Sequence, residues 1–452
     1  MCLGGSMSNR KLPIFFFYIL FFVTAFSINQ GNNTVSAISF VLILLIVVIY
    51  HEENGTVLLF CLFPMQRMFM LSRSFMTVVP LISILIILKC FLHHKVRCNC
   101  IKQLMATILL LFYSLSVEII RFSSIKNTVE YILTIILMIV VCEIVDKNLR
   151  KVCMLVYCVS SILSALIGYF FPTVSRYTAL FIMEYNPRFQ GLLTDPGSFG
   201  QTMVCAMAMA ITVYFLVEQS RELPNLNKVQ NRFSAVNVII SCAFYLYFAI
   251  LSGTRACLIA LTVIYVEVFI MLIKTKRRST QIAALLIGIV SIFALSSIGT
   301  MIFNVVSMEH GGESLSEDTR LGIWRGYIHN ILNSPDVMLF GVGMNSCSMY
   351  GEMMALGNPH NIIIEKVVEC GIIGFVLNLC IFIPTLRRKK MSFMTPETLP
   401  FYVWISTLLV YGTSGIILPY LLLALITEKR EDNENENYKD VAHDEKPDYA
   451  IC

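Results

Sequence analysis

The chain has 452 residues, 57% of them hydrophobic and only 14% charged, with a mean hydropathy of +0.74. Soluble globular proteins carry about 25% charged residues, so a soluble fold is excluded. Net charge is +5, but no long basic patch with interleaved aromatics occurs, which excludes nucleic acid as a partner.

In chain order, apolar runs fall at 12–28, 34–50, 55–70, 74–92, 103–120, 128–146, 152–171, 197–217, 234–251, 256–273, 281–303 and 361–386. Each is long enough to cross roughly 30 Å of hydrocarbon. No small-residue cleavage site stands out after the first, so it reads as a retained helix. The final stretch, 399–426, is interrupted by Gly412-Thr-Ser-Gly415 and reads as two short helices. The expected fold is all-α: a polytopic integral membrane protein with about 12–14 transmembrane helices. A large extracytoplasmic loop, 304–360, precedes the antepenultimate helix. The membrane domain is expected over 1–426. The acidic, Asn-rich tail 427–452 has almost no apolar residues and reads as a disordered cytoplasmic segment.

Lysine and arginine set the orientation. Arg10 and Lys11, Lys89 to Lys102, Lys147 to Lys151, Arg221 to Arg232, Lys274 to Arg278 and Arg387 to Lys390 all fall on one side of these spans. That side is expected to be the cytoplasm, with both termini inside and the loops 172–196 and 304–360 outside. Arg67 and Arg73 do not fit, and the 55–70 span obeys the charge rule least. Single cysteines at 310–318 of an otherwise cysteine-free variant should react with a membrane-impermeant thiol reagent on intact cells. One at 276 should not, and labelling of 276 alone overturns the orientation. Most of the fifteen cysteines lie inside apolar runs, so no disulfide framework is expected.

The informative charges lie outside the basic loops. Arg176 and Arg188 fall in the first long outer loop, followed by Asp195. Arg255 closes Leu251-Ser-Gly-Thr-Arg255, a very short turn between two apolar helices, and Arg320 and Arg325 flank Trp324. A guanidinium at a helix end can snorkel to lipid phosphate or bind a substrate phosphate through its fork of donors. For any one arginine, anchoring is the simpler account. Several on one face favour a site.

His360, between Pro359 and Asn361, opens an apolar helix. Helix capping is its bland reading, and general-base chemistry its sharp one. Glu365 and Glu369 share a helical face below it. Glu365 could orient His360 or pair with a buried arginine. Gly371-Ile-Ile-Gly374 reads as a close helix-packing motif. Gly341-Val-Gly343 is a turn and not a nucleotide loop, since no strand precedes it and no Lys-Ser/Thr follows. His93-His-Lys-Val-Arg-Cys-Asn-Cys100 fits no standard zinc spacing.

Arg320-Leu-Gly-Ile-Trp-Arg325, Phe340-Gly-Val-Gly343, Pro359-His-Asn361 and Glu369-Cys-Gly-Ile-Ile-Gly374 resemble, in this order, the signature of the O-antigen polymerase and O-antigen ligase superfamily. Arg188-Phe-Gln-Gly191 and Ser252-Gly-Thr-Arg255 fit upstream. The resemblance covers roughly the last 270 residues and does not separate polymerase from ligase. It implies a metal-independent glycosyltransferase without cofactor, in the bacterial plasma membrane. Its implied substrate is an oligosaccharide on undecaprenyl or another polyprenyl diphosphate. By motif match, Arg188 and Arg255 would hold the diphosphate and His360 would activate the acceptor hydroxyl. Arg320, Arg325, Trp324, Asn361 and Glu365 are expected to contact substrate. A polymerase for capsule, exopolysaccharide or O-antigen would work beside a flippase and a chain-length regulator. The alternatives are a ligase and, from another class, a flippase or transporter for the same lipid-linked sugars. A flippase should need cations deep in the membrane, whereas these arginines gather at one face.

Overall fold

The computed structural model describes residues 5–70, 77–93, 101–179, 188–221, 235–274, 319–347, 353, 358–388, 395–411 and 418–426. The expected span 281–303, the adjoining segment 304–318 and the tail 427–452 lie outside the described residues. So does the His94 to Cys100 stretch of the zinc-like motif.

The chain folds into helices α1 (Gly5–Asn29), α2 (Thr34–Ile49), α3 (Glu52–Leu62), α4 (Val78–Leu92), α5 (Ile101–Arg121), α6 (Ile125–Ile144), α7 (Lys147–Phe170) and α8 (Pro172–Thr178). Then come α9 (Pro196–Arg221), α10 (Ala235–Leu251), α11 (Arg255–Lys274), α12 (Thr319–Asn333), α13 (Pro335–Phe340), α14 (Ile362–Arg388), α15 (Leu399–Tyr411) and α16 (Leu418–Ile426). Among the described residues, β pairing is confined to an isolated bridge between Met70 and Thr77. Seven helices among these residues are long and apolar enough to cross a membrane: α1, α5, α6, α7, α9, α11 and α14. Lipid offers no partner to a backbone N–H or C=O, so a spanning segment must pair them internally, and a helix does so. The protein is an all-α, polytopic membrane protein. Within 399–426 the described residues form α15 and α16; the Gly412-Thr-Ser-Gly415 expected to separate them lies outside the described residues.

The 55–70 segment differs from expectation. Its helix α3 has only 11 residues and continues as a 3-10 turn, Phe63–Met68. Glu52 and Asn54 to Leu62 are all buried. A helix buried on every side is as apolar as a lipid-facing span, so hydropathy does not tell them apart. Beside it, the Lys89 ammonium donates to the carbonyls of Val47 (2.6 Å), Val48 (2.7 Å) and Tyr50, closing the C-terminus of α2. His93 Nδ1 lies 3.1 Å from the buried Glu52 carboxylate.

A large apolar core runs through α1 to α7, α9 to α11, α15 and α16. A second, small core unites Tyr327 and Ile331 of α12, Val337 of α13, Val342, Cys347, Met353 and Val368 of α14. Helices α12 and α13 therefore fold onto the first turns of α14 and do not hang free as a loop.

Helix α14, expected as one continuous span, is broken. Gly371 has φ 63° and ψ 179°. The break frees the carbonyls before it. Val342 N–H donates to Val368 O (2.9 Å) and Gly343 N–H to Glu369 O (3.0 Å). The Tyr113 hydroxyl of α5 reaches Cys370 O at 2.8 Å and Phe340 O at 3.0 Å. The segment Gly341 to Asn345 is thus a strap laid across the gap. Gly374, the second glycine of the pair, does pack closely: a Cβ there would lie 2.8 Å from the Tyr113 ring.

Candidate active site

The 188–195 loop meets the 252–254 turn at one end of the bundle, and the entrance to α14 at 358–361 is tied to α12 and α15. Arg188 Nε donates to Ser252 O (2.9 Å), and its Nη2 to Gly253 O (3.0 Å) and Thr254 Oγ1 (3.1 Å). Phe189 N–H donates to Leu251 O at 3.2 Å. The Phe189 ring packs edge-on against Phe199 and beside Phe248, with centroids 5.0 and 5.3 Å apart. Asp195 caps α9, accepting from Ser198 N–H (2.9 Å) and from the hydroxyls of Ser198 and Thr194 (both 2.7 Å). The structure therefore brings Arg188 and Arg255 together through the turn: Arg188 grips it, and Arg255 begins the helix that follows. Arg176 is exposed on α8.

Arg255 heads α11, which packs along α15. The far end of α15 meets α14, where Asn361 Nδ2 donates to Leu409 O at 3.0 Å. Asn361 is also the N-cap of α14, its Oδ1 accepting from Ile363 N–H (3.0 Å) and Ile364 N–H (3.2 Å). The cap is therefore Asn361 and not His360. His360 is half-buried and sits in the left-handed backbone region at φ 49°. The Asn358 side chain accepts from its N–H at 3.2 Å. Trp324 Nε1 donates to Pro359 O at 2.7 Å, locking α12 to the residue before His360. Arg325 is exposed on α12. Of Arg320, the backbone lies in α12 and the side chain outside the described residues.

Glu365 is buried on the first turn of α14. Glu369, which shares its helical face, and two groups not singled out from the sequence, Lys366 and Glu118, build the polar interior around it. Lys366, buried, pairs with Glu369 at 2.7 Å and lies 4.4 Å from the centre of the Tyr131 ring. The other Glu369 oxygen accepts from Asn345 N–H of the strap at 2.8 Å. Glu118 of α5, also buried, accepts from Met344 N–H (2.7 Å), Thr128 (2.9 Å) and the Ser123 hydroxyl. Ionisable groups in spanning helices are costly unless paired, and that was the signal available for all three. Burial, then the neighbouring Cys347 thiol, pushes the Tyr327 phenol well above its usual pKa, so it stays protonated. Below this network lies a cavity of about 200 Å³ lined by Tyr131, Ile362, Lys366, Asn378, Phe401 and Tyr420 among others. Among the described residues, no three His, Cys, Asp or Glu side chains gather as a metal-holding group.

Fold and site define a multi-pass helical membrane protein in which Arg188 holds the turn before Arg255 and Trp324 holds the residue before His360. Residues 240–379 match the family model described as O-antigen ligase. Over this stretch, which holds the Arg255 turn, α12 to α13 and most of α14, the chain is similar to that family. No curated protein matches the chain.

Proposed function

We propose that the protein is a glycosyltransferase that polymerises polyprenyl-diphosphate-linked oligosaccharide repeat units on the outer face of the bacterial plasma membrane. The observation that carries this reading is the pairing of Arg188 with the 252–254 turn, which fixes the start of α11 where Arg255 stands. A lipid diphosphate is a good leaving group, so the protein must mainly stabilise the charge that develops on it, position the two sugars and supply one base. Arg255 takes the diphosphate, Arg188 holds the turn beneath it, and His360 accepts the proton of the acceptor hydroxyl. No metal enters this scheme.

The test is reconstitution in liposomes with a synthetic polyprenyl-diphosphate repeat unit. A ladder of products differing by one unit is expected, unchanged by chelator. Transfer of preformed polymer to a lipid or protein acceptor, without a ladder, would make the protein a ligase. Movement of the lipid-linked unit across the bilayer without new glycosidic bonds would make it a flippase. Arg255→Lys keeps the charge but loses the bidentate fork. It should lose most of the activity while inserting normally, and full activity would reduce Arg255 to a lipid anchor.

A further inference from the structure

Helices α12 and α13 carry apolar residues on two faces. Ile323, Tyr327 and Ile331 face the small core. About a quarter-turn round the helix, Leu321, Ile328 and Leu332 are about half exposed or more, and Leu339 and Phe340 of α13 continue the exposed surface. The spacing of 321, 325, 328 and 332 places these residues in one helical stripe, with the exposed Arg325 inside it.

Depth can be read from α5, one of the spanning helices. Asp336, at the start of α13, pairs at 2.6 Å with Arg121, the last residue of α5. Three and four residues later, the carbonyls of Leu339 and Phe340 meet the hydroxyl of Tyr113, which lies two turns further into the span. The chain has moved inward by roughly 6–12 Å. It then returns through the strap, past Glu369 and Glu118. Irregular backbone at membrane depth survives only where the protein pairs it. Here Gly341 donates to Val337 O, Val342 to Val368 O, Gly343 to Glu369 O, and Met344 and Asn345 to the buried carboxylates. Beside the dip, exposed Phe112 on α5 and exposed Ile372 and Ile373 on α14 belong to spanning helices, so they face lipid.

We propose that residues 335–345 form a re-entrant hairpin that inserts Leu339 and Phe340 into the bilayer, and that α12 lies on the membrane surface with its Leu321, Ile328 and Leu332 stripe in the lipid. The occupant of this surface is the hydrocarbon and headgroup boundary of the adjacent leaflet, continuous with the lipid-facing sides of α5 and α14. The stripe has the mixed character of an interfacial helix, and Arg325 reaches from within it to lipid phosphate. The proposal rests on membrane placement alone and stands apart from the reaction assigned above.

The test is depth-dependent quenching in bilayers containing brominated acyl chains. Tryptophan is introduced at Phe340 or Leu332, with Phe112→Trp as the lipid reference and Gln30→Trp as the water reference. The contribution of the native Trp324 and Trp404 is subtracted. Emission at 340 and 332 should be lost to brominated lipid as fully as at 112, and iodide should leave it unchanged. Iodide quenching at either position to the extent seen at 30 overturns the proposal. Hydroxyl-radical footprinting of the unmodified protein in the same bilayers covers the case of a misfolded variant. Leu332 and Phe340 should stay as unlabelled as Phe112, and labelling at the level of solvent-exposed side chains overturns the proposal.

Discussion

Replacing Gly371 by alanine should leave little or no folded protein, and Gly341→Ala should do the same. Both glycines have an extended ψ at positive φ: Gly371 at φ 63°, ψ 179° and Gly341 at φ 81°, ψ −174°. That region is essentially closed to other residues and costs about 1–3 kcal/mol to occupy. Sterics add to it. A Cβ on Gly371 would lie 2.3 Å from Leu339 O, and one on Gly341 would lie 2.3 Å from Glu369 O. Each clash is with backbone, which cannot swing aside as a long side chain can. The two sites face each other, so relief would require parting the strap from the break and orphaning Val368 O and Glu369 O in a low-dielectric interior. The combined cost should exceed about 4 kcal/mol for either variant. The double variant should be less than additive, because both act on one contact. Gly322→Ala is the control. It lies inside α12 with nothing near its missing Cβ, and should stabilise slightly, by at most about 1 kcal/mol. Size-exclusion behaviour in detergent and thermal unfolding read these outcomes. A monodisperse Gly371→Ala protein with wild-type thermal stability would mean that α14 is continuous.

That break marks the limit of what the sequence discloses. The spanning helices are legible because lipid demands long apolar runs. Gly371 was read as a packing residue. In an apolar run, a glycine that lets a neighbour approach looks the same as one that takes positive φ; only Leu339 O and Val342 N across the gap distinguish them. The short, fully buried helix within 55–70 is hard to read for a related reason, since burial by protein and by lipid select the same residues. Site residues near helix ends were accessible from residue type. Asn361 as a cap follows from its short amide and the Pro before it. The grip of Arg188 on carbonyls 64 and 65 residues away depends on how two loops fold together. So does the assembly of Glu118, Lys366 and Glu369 from two helices and the strap.

His360 should be separable into a residue that the fold tolerates and one that the reaction needs. Its backbone sits at φ 49°, where an L-residue other than Asn, Asp or Gly is uncommon. The neighbours hold it there: Trp324 pins Pro359 O, and Asn361 both caps α14 and binds Leu409 O. His360→Gly should therefore raise stability by about 0.5–1 kcal/mol, since glycine adopts this φ without strain. The same variant should stop polymer growth and leave lipid-linked single repeat units to accumulate. Loss of a general base costs about 10²–10⁴-fold in rate, so traces of short polymer are compatible with the proposal. His360→Asn tests the rival account. Asparagine suits the left-handed region and would serve any capping or turn role, yet it cannot take a proton near neutral pH. It should fold as well as the wild type and polymerise as poorly as the glycine variant. Near-normal chain length with Asn at 360 would remove His360 from the chemistry and leave Arg255 as its main carrier.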